Sequence, residues 1–390
     1  MDYVFFLPDI IGGVFSFVTQ YTSYLIAENK NNTVTVVLTS VIENHNKDIV
    51  PGNSISPIVS LKRFSYSKFD NRFSVYKKLS KFVPHEHAII ICNDYLEVFM
   101  LTNMKLQNPS FFVLHGDYNY YYNLATVASR FVNQLFTVNP IIKKRIQEIL
   151  PNTKVSTLRF LIQDNKLKVS KFSENVLKII FIGRVSYAKG FDVLVETYKH
   201  LQDSNLVFHF TIIGALYEEK YKDFLSQSGI TYIEQLDNNV LQHLLADHHL
   251  FFLPSRAEGY SISIVESMKA GVLPLVNDIP AIAPDILVHR ETGLRIRDNK
   301  AGIYCEEIIM LNNERELLQK MSEDAFKRVN SYFNNSYNFE EFLNIVQDNI
   351  QENKIKEFSV GVGRSRLDNP YVPNFVTKLI RQLSNRVNRK

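Results

Sequence analysis

Two carboxylates eight residues apart, Glu258 and Glu266, and two cations five residues apart, Arg184 and Lys189, have types and spacings that fit one kind of chemistry. Glu258 follows the apolar run Leu250–Leu253 in a loop, and Glu266 falls in the first turns of a helix that Gly271 closes. Both therefore reach a ligand held at the helix start. Between them, Gly259, Tyr260 and Ser261 offer backbone N–H groups where the helix dipole favours an anion and glycine allows close approach. After the run IIFI, Gly183 precedes a loop in which the Arg184 fork and the Lys189 point charge can converge on a diphosphate. The combination suits a phosphorylated, hydroxyl-rich ligand. A structural alternative stands beside each motif: Ser263 followed three residues later by Glu266 fits a capping box, and the 184–189 loop also reads as solvated basic surface.

Other candidates sit at strand ends. Gly12 and Gly13 separate the first strand from the first helix, where a glycine pair lets backbone pass close to a ligand or simply makes a turn. His115, after FFVL and before Gly116 and Asp117, can hydrogen-bond a substrate hydroxyl or carry a proton near neutral pH. Gly214 ends another strand on the rim that carries Arg184.

The elements that must position these residues alternate. Strands are expected at 3–7, 33–39, 88–92, 110–114 and 135–138, with helices at 15–27, 97–105, 120–132 and 141–149 between them. The rhythm resumes with strands at 177–182, 207–213, 231–233, 250–253 and 273–276. This is the βαβ pattern of open parallel sheets covered by helices, and 390 residues exceed what one core usually organises. The fold class is therefore α/β with two doubly wound domains. We place an N-terminal domain at 1–155, a Lys-, Ser- and Asn-enriched linker at 156–176, a second domain at 177–335 and C-terminal helices with a basic tail at 336–390. Ligands of such sheets bind beyond the carboxyl ends of the strands, so two facing domains would form a cleft suited to a two-substrate transfer.

In that order along the chain, GRVSYAKGFDVLVE, IIG and PSRAEGYSISIVESMKAGVLPLV resemble the retaining glycosyltransferases of family 4, which have the GT-B fold of two facing Rossmann-like domains and an E-x7-E motif. The resemblance is close over about 177–296 and looser before it, where it rests on Gly12, Gly13 and His115. It implies that Arg184 and Lys189 hold the diphosphate of a nucleotide-sugar donor and that Glu266 binds the ribose hydroxyls. It further implies that Glu258, with the N–H groups of Tyr260 and Ser261, holds sugar hydroxyls and phosphate. Gly13 would lie against phosphate and His115 near the sugar's 6-position and reacting carbon. No Asp-x-Asp occurs, so no metal or other cofactor is expected, and the cations and helix dipole must neutralise the leaving group. A front-face retaining reaction needs no side-chain general base. The sequence departs from the family pattern at Leu158–Ile162 and at Gln235-Leu236-Asp237, which leaves the nucleobase open. The alternatives are a non-catalytic GT-B partner or glycan-binding scaffold, and a nucleotide-sugar epimerase of the same architecture.

Composition narrows the setting. Net charge is +4 with 45% hydrophobic and 22% charged residues, an ordinary globular balance that disfavours a general nucleic-acid binder. Two distant cysteines, Cys92 and Cys305, exclude a disulfide framework and fit a reducing compartment. The apolar start carries Asp2 and no basic flank, so a buried strand is expected rather than a signal peptide, and no apolar run is long enough to span a bilayer. A cytoplasmic protein is expected, with peripheral attachment to the cytoplasmic face of a membrane as an option and a glycan or lipid-linked acceptor of the lipopolysaccharide or capsule kind. That option rests on the aromatic-basic stretch 62–81 and on the tail, where Phe375, Val376, Leu379, Ile380, Leu383 and Val387 form one stripe with Lys378, Arg381, Arg386 and Arg389 off it. Either an anionic bilayer or the protein's own surface would cover such a stripe.

Overall fold

A computed structural model describes residues 1–44, 50, 56–162, 167, 169–236, 238–351, 356–358 and 363–387. Parts of the expected linker (163–166 and 168), Asp237 and the tail residue Arg389 lie outside the described residues. The chain forms two compact units, one of Met1–Val138, Ile142–Leu158 and Phe339–Lys390, the other of Asn139–Ile141 and Arg159–Asn338.

The first unit is built on seven strands: β1 (Asp2–Pro8), β2 (Thr33–Val41), β3 (Ser60–Tyr66), β4 (Ile89–Cys92), β5 (Ser110–Leu114), β6 (Gln134–Thr137) and β7 (Val155–Thr157). They pair in parallel in the order β3-β2-β1-β4-β5-β6-β7. Parallel strands covered on both faces read as continuous apolar runs, and Phe5, Phe6, Leu7, Phe111 and Phe112 are fully buried accordingly. Helices α1 (Gly13–Glu28), α2 (Arg72–Leu79), α3 (Tyr95–Met104), α4 (Asn119–Ala128) and α5 (Pro140–Ile149) make the crossovers.

The second unit repeats the plan with β8 (Leu177–Ile182), β9 (Phe208–Ile213), β10 (Ile230–Ile233), β11 (Leu250–Leu253), β12 (Leu273–Asn277) and β13 (Leu294–Ile296), in the order β10-β9-β8-β11-β12-β13. Helices α6 (Phe191–Gln202), α7 (Asn238–Ala246), α8 (Ile262–Lys269), α9 (Ala301–Asn313) and α10 (Arg315–Tyr332) follow. In both sheets the order reverses beside the first strand, between β1 and β4 and between β8 and β11. Such switch points leave a crevice beyond the strand ends. The chain returns to the first unit at Phe339, inside α11 (Asn335–Gln351), and ends in α12 (Asn374–Val387).

Three expectations change. The 62–81 stretch, read as one aromatic-basic segment, is two elements: its start is the edge strand β3, paired with β2 on one side, and α2 begins only at Arg72. The stretch expected as linker is packed, with β7 on the edge of the first sheet. Phe160, Leu161 and Ile162 are buried in the second unit, and the buried Lys171 ammonium donates to the Gly271 carbonyl at 2.8 Å. The short strand β13 and its neighbour turn were also absent from the sequence reading, because three residues show no usable periodicity.

Candidate functional site

In the second unit the switch point brings the loops after β8 and β11 together. Gly183 and the exposed Arg184 leave β8, and Arg184 lies over the Tyr217 ring at 5.1 Å. Lys189 and Glu258, one from each loop, form an ion pair at 2.6 Å, with side chains 21% and 8% exposed. A second pair fastens the same loops. The Arg256 guanidinium donates to both Asp192 carboxylate oxygens at 2.8 and 2.7 Å and stacks on the Tyr187 ring at 3.6 Å. The Arg256 N–H also donates to the Ala188 carbonyl at 3.0 Å. Close approach of the loops requires glycine at position 190, where φ is +71° and a Cβ would stand 1.9 Å from the Pro254 carbonyl oxygen.

The start of α8 excludes the capping-box reading of Glu266. The helix begins at Ile262 with Ser261 as N-cap, no side chain caps it, and Glu266 lies too far along to close a capping box. Ser261 is held at φ +74°, a conformation that costs a non-glycine residue about 1–3 kcal/mol and persists only where its surroundings impose it. Those surroundings are visible. The Tyr260 side chain is buried against Phe160 and Phe333 and its hydroxyl donates to Asp285, while the Gly259 carbonyl accepts from Asn139 at 2.8 Å. Tyr260 thus anchors the loop with its side chain and leaves only its backbone to a ligand. Glu266 is 7% exposed, and burial pushes its carboxyl up to about 7. Gly214 was expected as a close-approach position for a ligand, but what its absent side chain accommodates is the Gly183 carbonyl, 2.1 Å from a built Cβ.

In the first unit, Gly12 caps α1 without a side-chain bond, and a Cβ there would meet nothing within 4 Å. Gly13 opens the helix, so its N-terminus points its unpaired N–H groups off the end of β1. His115 directly follows β5 and is half-buried, and desolvation of its ring lowers its pKa to about 3, so the expected option of carrying a proton near neutral pH is replaced by a neutral imidazole. The tautomer follows from one bond chain. The Asn93 amide donates to the Phe6 carbonyl at 2.7 Å, which leaves its oxygen, 2.7 Å from His115 Nε2, as an acceptor. His115 Nε2 is therefore protonated and Nδ1 is an acceptor. Asp117 is engaged by Tyr122 and Arg145.

The sequence reading missed Arg256, Asp192 and Asn93. Arg256 is two residues before Glu258, and Asn93 sits at the end of β4, next to β1, but only the strand order marks that end as a switch point.

Comparison with known proteins bears on this arrangement. Residues 162–328 match the family described as Glycosyl transferases group 1. CapM, a capsular polysaccharide biosynthesis glycosyltransferase of Staphylococcus aureus, is 24% identical over 207 residues, covering 51% of this chain and 53% of that protein. The chain spans about half the length of the curated relatives it matches first. A variant of S. aureus TarM in complex with fondaparinux, alpha-GlcNAc-glycerol and UDP superposes with a TM-score of 0.70 at 12% identity, over 89% of this chain and 100% of that one. HepE of Anabaena in complex with UDP-glucose gives 0.70 at 13% identity with the same coverage. At these identities the likeness shows the fold, which is the α/β fold of GT-B glycosyltransferases, with two parallel-sheet Rossmann-like units.

Proposed function

We propose that the protein is a retaining, family-4-like glycosyltransferase that moves a sugar from a nucleotide-diphosphate sugar to a glycan or lipid-linked acceptor in cell-surface glycan synthesis. It would work without a metal, at the cytoplasmic face of the membrane. The observation that carries this reading is the pair of loops at the β8/β11 switch point, cross-fastened by Lys189–Glu258 and Arg256–Asp192 beside a strained, uncapped helix start. Support also comes from the match of residues 162–328 to group 1 glycosyl transferases and from the UDP and UDP-glucose in the similar structures. A uridine diphosphate sugar is accordingly the first donor to test.

On this reading the Arg184 and Lys189 charges and the N–H groups of Tyr260 and Ser261 stabilise the departing diphosphate. Glu266 accepts from the ribose hydroxyls. Glu258, released in part from Lys189 when the diphosphate arrives, accepts from sugar hydroxyls. Neutral His115 orients the sugar through Nδ1. The anomeric carbon's bond to phosphate oxygen breaks, the acceptor oxygen bonds to the same face, and the acceptor proton passes to the leaving phosphate oxygen. No side-chain base takes part.

The test is nucleotide release from a panel of nucleotide sugars, with and without lipid-linked and soluble glycan acceptors, followed by the anomeric configuration of the product. Release that disappears in Lys189→Ala, with retention in the product, is the expected result. Silence with every donor and acceptor, or an inverted product, overturns it.

A further inference from the structure

Helix α12 docks on the first unit the opposite way round from the usual amphipathic helix. Its polar side faces the protein. Asn374 accepts from the Asn71 N–H at 2.7 Å and donates to Asp70 at 3.0 Å, and the fully buried Thr377 donates to the Leu367 carbonyl at 3.0 Å. Arg381 donates to the Asp70 carbonyl at 2.5 Å and to Asp368 and Ser365 at 2.8 Å, and Lys378 stands 3.9 Å from the Asp70 carboxylate. Residues 374, 377, 378 and 381 share one face of a 3.6-residue helix. On the other face Phe375, Leu379, Ile380 and Leu383 are 73%, 57%, 42% and 52% exposed, and Tyr371, just before the helix, is 90% exposed.

The apolar stripe that the sequence leaves to either the protein or a bilayer is thus turned away from its own unit. Such a patch marks an interaction surface. We propose that this outward face is the protein's docking surface for an anionic lipid bilayer, with the aromatic and aliphatic side chains seated among the lipid head groups. Charge complementarity selects that occupant. Lys378 and Arg381 are already held by Asp70 and Asp368, so the uncompensated charge of the tail is that of Arg386, Arg389 and Lys390, which follow in the sequence with no Asp or Glu among them. The segment on which α12 docks adds exposed Lys68, Lys77, Lys78 and Lys81. A second copy seated on the stripe would set cations against cations with no acid in the segment to pair them, whereas acidic lipid neutralises them and takes up the stripe. The docking is independent of the transfer reaction.

The chain contains no tryptophan, so Phe375→Trp supplies a single reporter in the full-length protein. Its emission is expected to move to shorter wavelength and to be quenched by bromine-labelled acyl chains with vesicles of phosphatidylcholine and phosphatidylglycerol, and not with phosphatidylcholine alone. In vesicle co-sedimentation, the triple substitution Phe375→Ser, Leu379→Ser and Leu383→Ser should weaken binding by about tenfold or more, since each removes a buried apolar group from the lipid. These side chains point to solvent, so thermal stability in the absence of lipid should stay unchanged. Absent anionic-vesicle binding, binding equal in the triple variant, or a concentration-dependent dimer abolished by that variant would each overturn the proposal, the last by assigning the face to a second copy.

Discussion

Lys189 and Glu258 neutralise each other across two loops, so either substitution alone has two effects. Lys189→Ala removes a cation from the proposed diphosphate and strands a largely buried carboxylate. We expect kcat/KM to fall by about 10²–10³ and stability to fall by about 1–3 kcal/mol. Adding Glu258→Ala should restore most of the stability and none of the activity, because the stranded charge is gone but the missing cation is not. A double-mutant cycle followed by both chemical unfolding and nucleotide release separates the two effects; additive stability losses would refute a direct pair. Asn93 presents a second case. Its amide fixes the His115 tautomer through the Phe6 carbonyl, so Asn93→Leu should lower kcat by about ten- to hundredfold with KM less affected. Asn93→Asp keeps an acceptor for Nε2–H and should retain more activity. It should also introduce a pH dependence, because a carboxylate raises the pKa of a histidine that burial holds at about 3. Equal losses and an unchanged pH profile in the two variants would reduce Asn93 to a structural residue.

Among the elements, glycine substitutions distinguish loop packing from ligand access. Gly190→Ala drives a Cβ into the Pro254 carbonyl at φ +71°, so the β8 and β11 loops must part. A loss of at least about 3 kcal/mol is expected, together with the site. Gly12→Ala meets nothing within 4 Å and should change stability by less than about 1 kcal/mol, while obstructing an anion at the start of α1 if one binds there. Thermal unfolding with and without nucleotide sugar reads both effects, and a large stability loss in Gly12→Ala would remove the ligand argument from that position. The same contrast explains what was legible in the sequence. Strands β1, β5, β8 and β11 stood out because parallel strands buried on both faces are unbroken apolar runs. The loops after them stood out because glycine and charge follow immediately. Edge strand β3 carries Lys62 and Arg63 among apolar residues and reads like a surface segment, and packed residues 158–162 look like a linker. Arg256, Asp192 and Asn93 were invisible because their partners are 64 or more residues away, or 22 and 87 in the case of Asn93, and nothing local specifies such pairings.

For the whole molecule, buried ionisable groups set opposing limits on stability with pH. His115 is lowered from 6.5 to about 3, and His248 and His249 to about 4, by burial. Between those values and 6.5 the unfolded chain binds more protons at these sites, so stability rises with pH and their acid penalty is gone above 6.5. Glu97 and Glu266 act in the other direction. Burial raises them from 4.5 to about 8 and about 7, with the neighbouring Asp94 charge adding to the shift of Glu97. From pH 4.5 upward the folded chain holds their protons more firmly than the unfolded one, so stability falls until each has ionised. Between 4.5 and 6.5 three histidines oppose two carboxyl groups, a net of about one proton that makes stability rise by roughly 1.4 kcal/mol per pH unit, and above 6.5 only the carboxyl groups act. A stability maximum near pH 6.5 is expected, with a decline on the order of 2 kcal/mol by pH 8, mostly from Glu97. Glu97→Gln tests the assignment. One side-chain oxygen still accepts from the Asn93 and Asp94 N–H groups, and the amide nitrogen replaces a buried oxygen that has no partner among the described residues, where the neutral acid would place its own proton. The variant should match the native protein near pH 6 and stay flat to pH 8. Unfolding curves for the two proteins that run parallel across this range would show that Glu97 ionises without consequence for the fold.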